Sequence, residues 1–334
     1  MTRKILLGFA LVAVVVVGIY LEFYRAKPTQ EVAYSGSKTV TVWSTSAQVR
    51  EPITTISFGE RLDVLQRFQD QVKIRTAQGV VGWVPERDLL SADLWQTLKD
   101  LEKKSEGMPV AARGHTKVLT NLHFGPGRDT NRVRQLWKNV PLDLLSRQPE
   151  QVNPATREGS GQEPAAPAPE GKKEDWWFVR AHSSDQGVLA GWLLSRFVEL
   201  DVPQPLSDYG SSAAMRIIAW SELNHVQGAT GQQMPQYLLV GAQGPEGQAC
   251  DFTTMRVYTW GKQKERYETA FVQSGLCGKL PIQLAAASNQ RGDVRFSFQD
   301  IGQVPAEERT YEMHQTMVRR VNYKPPTGKR KHNG

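Results

Sequence analysis

Cysteine is nearly missing from this chain, and what there is comes late. Its 334 residues include two, Cys250 and Cys277. With the first at position 250, a lipid-modified cysteine near the start is excluded. Two sulfurs with no Cys-x-x-Cys pair also exclude a four-thiolate zinc centre. Histidine is scarce too: His115, His123, His182, His225, His314 and His332, with no His-x-x-x-His spacing. Asp251, Asp293 and Asp300 lack the spacing of a calcium loop. No Gly-rich phosphate loop precedes a helix, and no basic helix or aromatic-basic signature points to nucleic acid. No metal, no cofactor and no nucleic-acid partner are therefore expected.

Charge lacks neither sign. Lys and Arg number 41 against 34 Asp and Glu, and much of the +7 excess sits at the two ends. Thr2-Arg3-Lys4 and Lys329-Arg330-Lys331 read as solvated termini rather than as a polymer-binding face. Between them lies one long apolar run, Ile5 to Leu21. Its 17 residues reach the low edge of the roughly 17–25 that cross a bilayer as a helix. The exit "GIYLEFYRAK" is bulky rather than A-x-A-like, which favours an uncleaved signal anchor; cleavage near Gly18 is the alternative. Tyr20, Phe23 and Tyr24, then Arg25 and Lys27, fit an interfacial belt. The expected location is the inner (cytoplasmic) membrane, single-pass, with the bulk of the chain extracytoplasmic (periplasmic). In an exported chain Cys250 and Cys277 can form one disulfide; two separate thiols are the alternative.

An all-β chain is expected beyond the anchor, with an N-terminal transmembrane helix, two small β barrels joined by a short helix, and a β-rich C-terminal domain. Residues 1–27 form the anchor and 28–37 a linker. Short strands at tight spacing fill 38–91, and 92–115 is a connecting helix and linker. In that helix Leu94, Leu98 and Leu101 share a face and Ser91 can cap. A second β unit spans 116–200. Its stretch 149–174, rich in Pro, Ala, Gly and Glu, reads as a disordered insert. Residues 212–324 are β-rich, with "RTYEMHQTMVRRVNY" as a long last strand, and 325–334 form a basic tail.

The two β units share a phrase, "VVGWVPERDLL" and "LAGWLLSRFVEL", with Trp83 and Trp192 109 positions apart. "LDVL" from Leu62 and "LDLL" from Leu142 precede these tryptophans by 21 and 50 positions. The insert and a longer hairpin account for the difference, so one register underlies both units and the phrase closes a duplicated domain. Gly82 and Gly191 let the strand bend before Trp83 and Trp192, and both indoles are expected in the core of a domain short of core volume.

These residues resemble bacterial SH3-type (SH3b) domains. "TNLHFGPGRDTNRVRQL" is similar to that family's opening strand and turn, "DWWFVRA" to its central strand, and "AGWLLSRFVEL" to its closing strands. The first unit resembles it through "FGERLDVL", "VKIRT" and "VGWVPERDLL", but lacks the Gly-Pro turn and has Gln71 in place of a central-strand tryptophan. The order of anchor, two such units and C-terminal region also resembles SH3-domain envelope proteins. The resemblance implies peptidoglycan peptide or an envelope protein as partner, beside the membrane itself. Groove candidates are Phe124 and Arg128 at the Gly-Pro turn, with Trp176 and Trp177 opposite. Strand alternation turns one of that pair inward and leaves the other exposed or under a loop.

The expected function is accordingly a non-catalytic, membrane-anchored envelope protein whose paired domains bind cell-wall peptide or a partner protein. The alternative is a scaffold in which the C-terminal β domain does the binding. A hydrolase using Cys277 with His225 or His314 is a minor third reading, since Cys277 lies in a Gly-flanked turn and not at a helix start. No enzyme is expected.

Overall fold

A computed structural model describes residues 31–151, 173–183, 187–212, 215–286 and 293–321. The expected anchor 1–27, the basic tail 325–334 and most of the insert lie outside the described residues. Among the described residues no helix is long and apolar enough to cross a membrane. The described residues are mostly β, in three seven-stranded sheets. The chain divides into two compact units between Gln96 and Thr97.

The first unit opens with β1 (Val32–Ser35), β2 (Thr39–Trp43), β3 (Pro52–Ser57) and β4 (Arg61–Phe68). It continues with β5 (Gln71–Thr76), β6 (Val81–Pro85), a 3-10 turn (Glu86–Asp88) and β7 (Leu89–Ser91). Alternation decides the faces: in "QVKIRT" Val72 and Ile74 are buried while Arg75 is exposed. These join Val42, Leu62, Val64 and Val84 in one core. The stretch read as a linker over 28–37 contains β1, which pairs with both β4 and β7. Four strand residues inside a polar neighbourhood give too short an alternation to stand out. Ser91 Oγ accepts from the Leu94 amide at 3.2 Å and so caps α1 (Ala92–Glu106).

The second unit repeats the plan with β8 (Ala112–Thr116), β9 (Thr120–His123), β10 (Arg132–Leu136) and β11 (Pro141–Gln151). Then come β12 (Lys173–Ser183), β13 (Gly187–Leu194), a 3-10 turn (Ser195–Phe197) and β14 (Val198–Leu200). The first sheet runs β3-β2-β6-β5-β4-β1-β7 and the second β10-β9-β13-β12-β11-β8-β14. Replacing each strand by the one seven places later converts one order into the other. Both carry a register shift at the same place, around Leu65 and around Leu145. Pro149–Gln151 and Lys173–Glu174, expected within the insert, are ends of paired strands.

After α2 (Gln204–Ser212), an element without a sequence forecast, the third sheet is a simple meander. Its strands are β15 (Arg216–Gln227), β16 (Gln233–Ala242), β17 (Phe252–Gly261), β18 (Arg266–Ala286), β19 (Val294–Asp300), β20 (Glu307–His314) and β21 (Met317–Arg320). The expected long last strand is two strands. The chain reverses at Gln315, whose φ is +52°, and β21 pairs back on β20. Tyr237, Leu239 and Tyr258 fill the core of one face with Leu206 of α2.

The glycines of the repeated phrase are needed for contact, not for bending. A Cβ on Gly82 would stand 2.7 Å from the Trp43 carbonyl, and one on Gly191 2.8 Å from that of His123. These are the points where β6 meets β2, through Trp83 opposite Trp43, and β13 meets β9, through Trp192 opposite His123. Their tryptophans differ. Trp192 is 8% exposed and packs with Phe178. Trp83 is corrected from core to half-buried, because odd positions of β6 point away from the core that holds Val84.

Candidate functional site

In the second unit the segment after β9 is the Gly-Pro turn. Thr130 Oγ1 lies within bonding distance of the Gly125 and Gly127 carbonyls, at 2.9 and 2.8 Å, and Gly127 takes a φ of +117°. This folds the turn so that Arg128 reaches β12. There it makes a two-pronged pair with Glu174: Nε to Oε2 at 2.8 Å and Nη2 to Oε1 at 2.5 Å. From the 3-10 turn Arg196 brings a second guanidinium to the same carboxylate, 3.7 Å away. Arg128 and Arg196 keep 37% and 50% of their side chains exposed, against 10% for Glu174. Two cations thus share one nearly buried anion.

These arginines border a cleft of about 290 Å³, together with Asn121, His123, Trp176, Leu194 and Phe197. Arg196 lies over the Phe197 ring, 4.9 Å from its centre. Burial, and next the charge of Arg128, press its pKa below the ordinary value, while Glu174 and Glu246 oppose that. His123 Nδ1 donates to the Thr130 carbonyl at 3.1 Å, and its ring meets Trp176 edge to face. Burial and then the nearby Arg132 lower its pKa against that hydrogen bond, which favours the neutral imidazole. Asn121 Oδ1 is buried without a hydrogen-bond partner.

Of the four groove candidates, Arg128 and Trp176 line this cleft. Phe124 is half-buried outside it. Trp177 is paired with Leu193 across the core-facing side of β12. Of the two alternatives for the outer indole, exposed or covered, exposure is corrected, since Trp176 and Trp177 are 2% and 4% exposed. Trp176 is covered on the outer face by its cluster with Leu145, Phe178 and Leu194. Sequence reasoning missed Arg196, Glu174 and Asn121. The signal was there in the phrase itself, whose arginine follows the repeated Trp by four positions.

A second polar constellation is buried. Arg147 at the end of β11 pairs with Asp175 on β12, and donates to Asp251 Oδ1 at 3.1 Å and to the Gln248 and Cys250 carbonyls at 2.7 and 2.6 Å. Lys279 adds a bond to Asp251 at 2.8 Å, and Arg216 approaches Asp175 at 3.3 Å. Next to Asp251, Cys250 forms a disulfide with Cys277. That bond removes the minor hydrolase reading, because a bonded sulfur offers no thiolate. Cys277 also lies within β18 rather than in a turn. His314 and His225, its imagined bases, are engaged with Asp293 at 2.7 Å and Glu222 at 3.2 Å. Among the described residues no group of three or more His, Cys, Asp or Glu is placed to hold a metal ion.

No protein-family model matches the chain, and no curated protein matches it. Solved structures to which it is similar include NlpC2 from Trichomonas vaginalis, 11% identical over 88% of this chain and 98% of that one, at a TM-score of 0.18. An NlpC/P60 family protein from Bacillus cereus ATCC 10987 is 12% identical over 73% and 94%, at 0.21. NlpC1 from Trichomonas vaginalis is 11% identical over 86% and 95%, at 0.18. These neighbours correct the expectation of a non-catalytic protein. The reading that excluded an enzyme, and the function built on it, are set aside. At such TM-scores the likeness transfers neither fold nor activity to this chain.

Proposed function

We propose that the second unit is an SH3-type barrel that recognises a carboxylate-bearing ligand, such as a peptide end, in its Arg128–Arg196 cleft. The observation that carries this is the charge count at one carboxylate: two partly exposed guanidiniums face Glu174, and only Arg128 is fully engaged by it. A carboxylate entering beside Arg196 would relieve the repulsion from Arg128 and gain charge-assisted hydrogen bonds. Leu194 and Phe197 offer an apolar wall.

The shared strand order of the first two sheets, each with a 3-10 turn before its last strand, supports the SH3-type reading of both. The disulfide supports an oxidising, extracytoplasmic compartment, with residues 1–27 as the anchor. Protease added to spheroplasts, whose outer membrane is opened and whose inner membrane is sealed, should then degrade the chain beyond residue 28, and full protection there would overturn the location.

For the cleft, calorimetry with a short peptide ending in leucine is the test. The free carboxylate should bind and its C-terminal amide should not. Arg196→Gln should weaken binding at least about tenfold, the worth of one charge-assisted hydrogen bond. Equal affinity for acid and amide, or an unchanged affinity in Arg196→Gln, would overturn the reading.

A further inference from the structure

The turn that leads into β4 in the first unit and into β11 in the second is built on one frame. In the first unit the buried Ser35 donates its amide to the Glu60 carbonyl at 3.0 Å and accepts the Gly59 amide at 2.8 Å. In the second the buried Thr116 does the same with Val140 at 3.0 Å and Asn139 at 2.8 Å. Gly59 and Asn139 both take left-handed backbone, with φ of +77° and +65°. Thr116 adds two bonds through Oγ1, donating to the Trp137 carbonyl at 2.6 Å and accepting the Val140 amide at 2.8 Å. One buried side chain and its backbone thus fix the whole turn.

On this shared frame the side chains differ. Two positions before the left-handed residue the first copy has Ser57 and the second has Trp137. Each follows a buried strand residue, Ile56 or Leu136. Trp137 keeps 71% of its surface exposed, so the indole stabilises the turn little. A position that serine fills in one copy does not need an indole to fold.

A second addition stands beside it. The β12–β13 hairpin is four residues longer than the β5–β6 hairpin, with His182 paired to Val188 and Ser183 to Gly187. The turn contributes Trp137, Lys138 and Asn139, and the hairpin His182 and Val188, to a cavity of about 580 Å³. None of its lining residues borders the Arg128–Arg196 cleft.

The chemistry of the cavity is mixed. Trp137 and Val188, the latter 46% exposed, offer apolar faces. Lys138 and Asn139 are exposed and make no side-chain hydrogen bond or ion pair among the described residues. His182 is held by Asp143, Nε2 to Oδ2 at 3.0 Å. A purely apolar ligand would cover the ammonium and the amide without pairing them, and a purely polar one would leave the indole face wet. A sugar ring matches both, since its C–H groups form a flat apolar face and its hydroxyls ring the edge.

We propose that this cavity is a saccharide site, in which a pyranose stacks on Trp137 and its edge hydroxyls bond to Lys138 and Asn139. The fixed turn holds indole and amide in place before the ligand arrives, which lowers the cost of ordering them on binding. The site belongs to the second copy alone, because the first has neither the indole nor the longer hairpin.

Calorimetry of the full chain in lipid nanodiscs with cellohexaose, maltohexaose and the N-acetylglucosamine hexamer tests this. At least one of these should bind. Trp137→Ser installs the residue of the first copy on the same frame and should melt with the wild type. It should weaken binding at least about tenfold, the scale of one lost aromatic contact, while Trp137→Phe keeps part of the affinity. Asn139→Gly, which preserves the left-handed backbone, should weaken it several-fold. Arg196→Gln should leave it unchanged. No binding of any of the three sugars at about 10 mM would overturn the proposal, as would equal affinity in Trp137→Ser. An equal loss in Arg196→Gln and Trp137→Ser would also overturn it, by moving the sugar to the other cleft.

Discussion

Arg147 and Asp251 stand 104 positions apart in sequence, yet their side chains meet at 3.1 Å with 2% of each exposed. This bond ties the end of β11 to the start of the loop-to-strand passage at β17, inside one compact unit. Removing the cation alone would leave two buried carboxylates, Asp175 and Asp251, short of their main partner. Arg147→Met should therefore lower stability by about 3–5 kcal/mol, the usual cost of breaking a buried pair from one side. Lys279→Met, at a residue with a third of its side chain exposed, should cost about 1 kcal/mol or less. Urea midpoints of the two variants check the ranking.

The glycines that precede the repeated tryptophans give a second comparison. Gly82→Ala and Gly191→Ala each push a methyl against a neighbouring backbone carbonyl, which cannot move as a side-chain tip can. A loss of about 1–3 kcal/mol is expected for each. Gly79→Ala has open space around it but a φ of +85°, so its cost, about 1–2 kcal/mol, comes from backbone conformation alone. Thermal unfolding of the three variants separates contact from conformation.

Much of this frame was legible in the chain. The shared register of "LDVL…GWV" and "LDLL…GWL" reflects real strand pairing, because a β ladder fixes residues in steps of two and a duplicated ladder keeps those steps. Features that depend on distant residues were not legible. Arg147 finds Asp175 and Asp251 across 28 and 104 positions, and no local pattern announces such a pair. The exposure of Trp83 follows from strand parity combined with what covers the face, and only parity is written in "VVGWV". Glu174 was hidden for a different reason: it borders a polar stretch that reads as unstructured, although it sits at the start of a paired strand.

The disulfide should matter to the same buried constellation. Cys250 supplies one carbonyl acceptor to Arg147 and adjoins Asp251, so opening the bridge frees both to move. Closing a loop over a separation of 27 residues is worth about 3–4 kcal/mol in the chain-entropy account. Reduction, or Cys277→Ser with Cys250→Ser, should lower the urea midpoint accordingly. Stability that does not change on reduction would count against the bridge, as would two titratable thiols in the unreduced, unfolded protein.

His123 makes stability depend on pH in a definite direction. Its folded pKa lies below the ordinary 6.5, first because of burial and then because of Arg132, with the Thr130 carbonyl opposing. Arg128 and Arg196 line the same cleft and add no anion to hold an imidazolium. The unfolded chain therefore takes up the proton first. The contribution is complete above about pH 6.5 and is lost as pH falls toward and through the lower folded value. His123→Gln removes this dependence while keeping a donor within reach of Thr130. Wild-type protein should lose stability between pH 7 and 5 more steeply than His123→Gln, read as the change of urea midpoint with pH. Parallel slopes in that window would mean that the histidine is not held neutral.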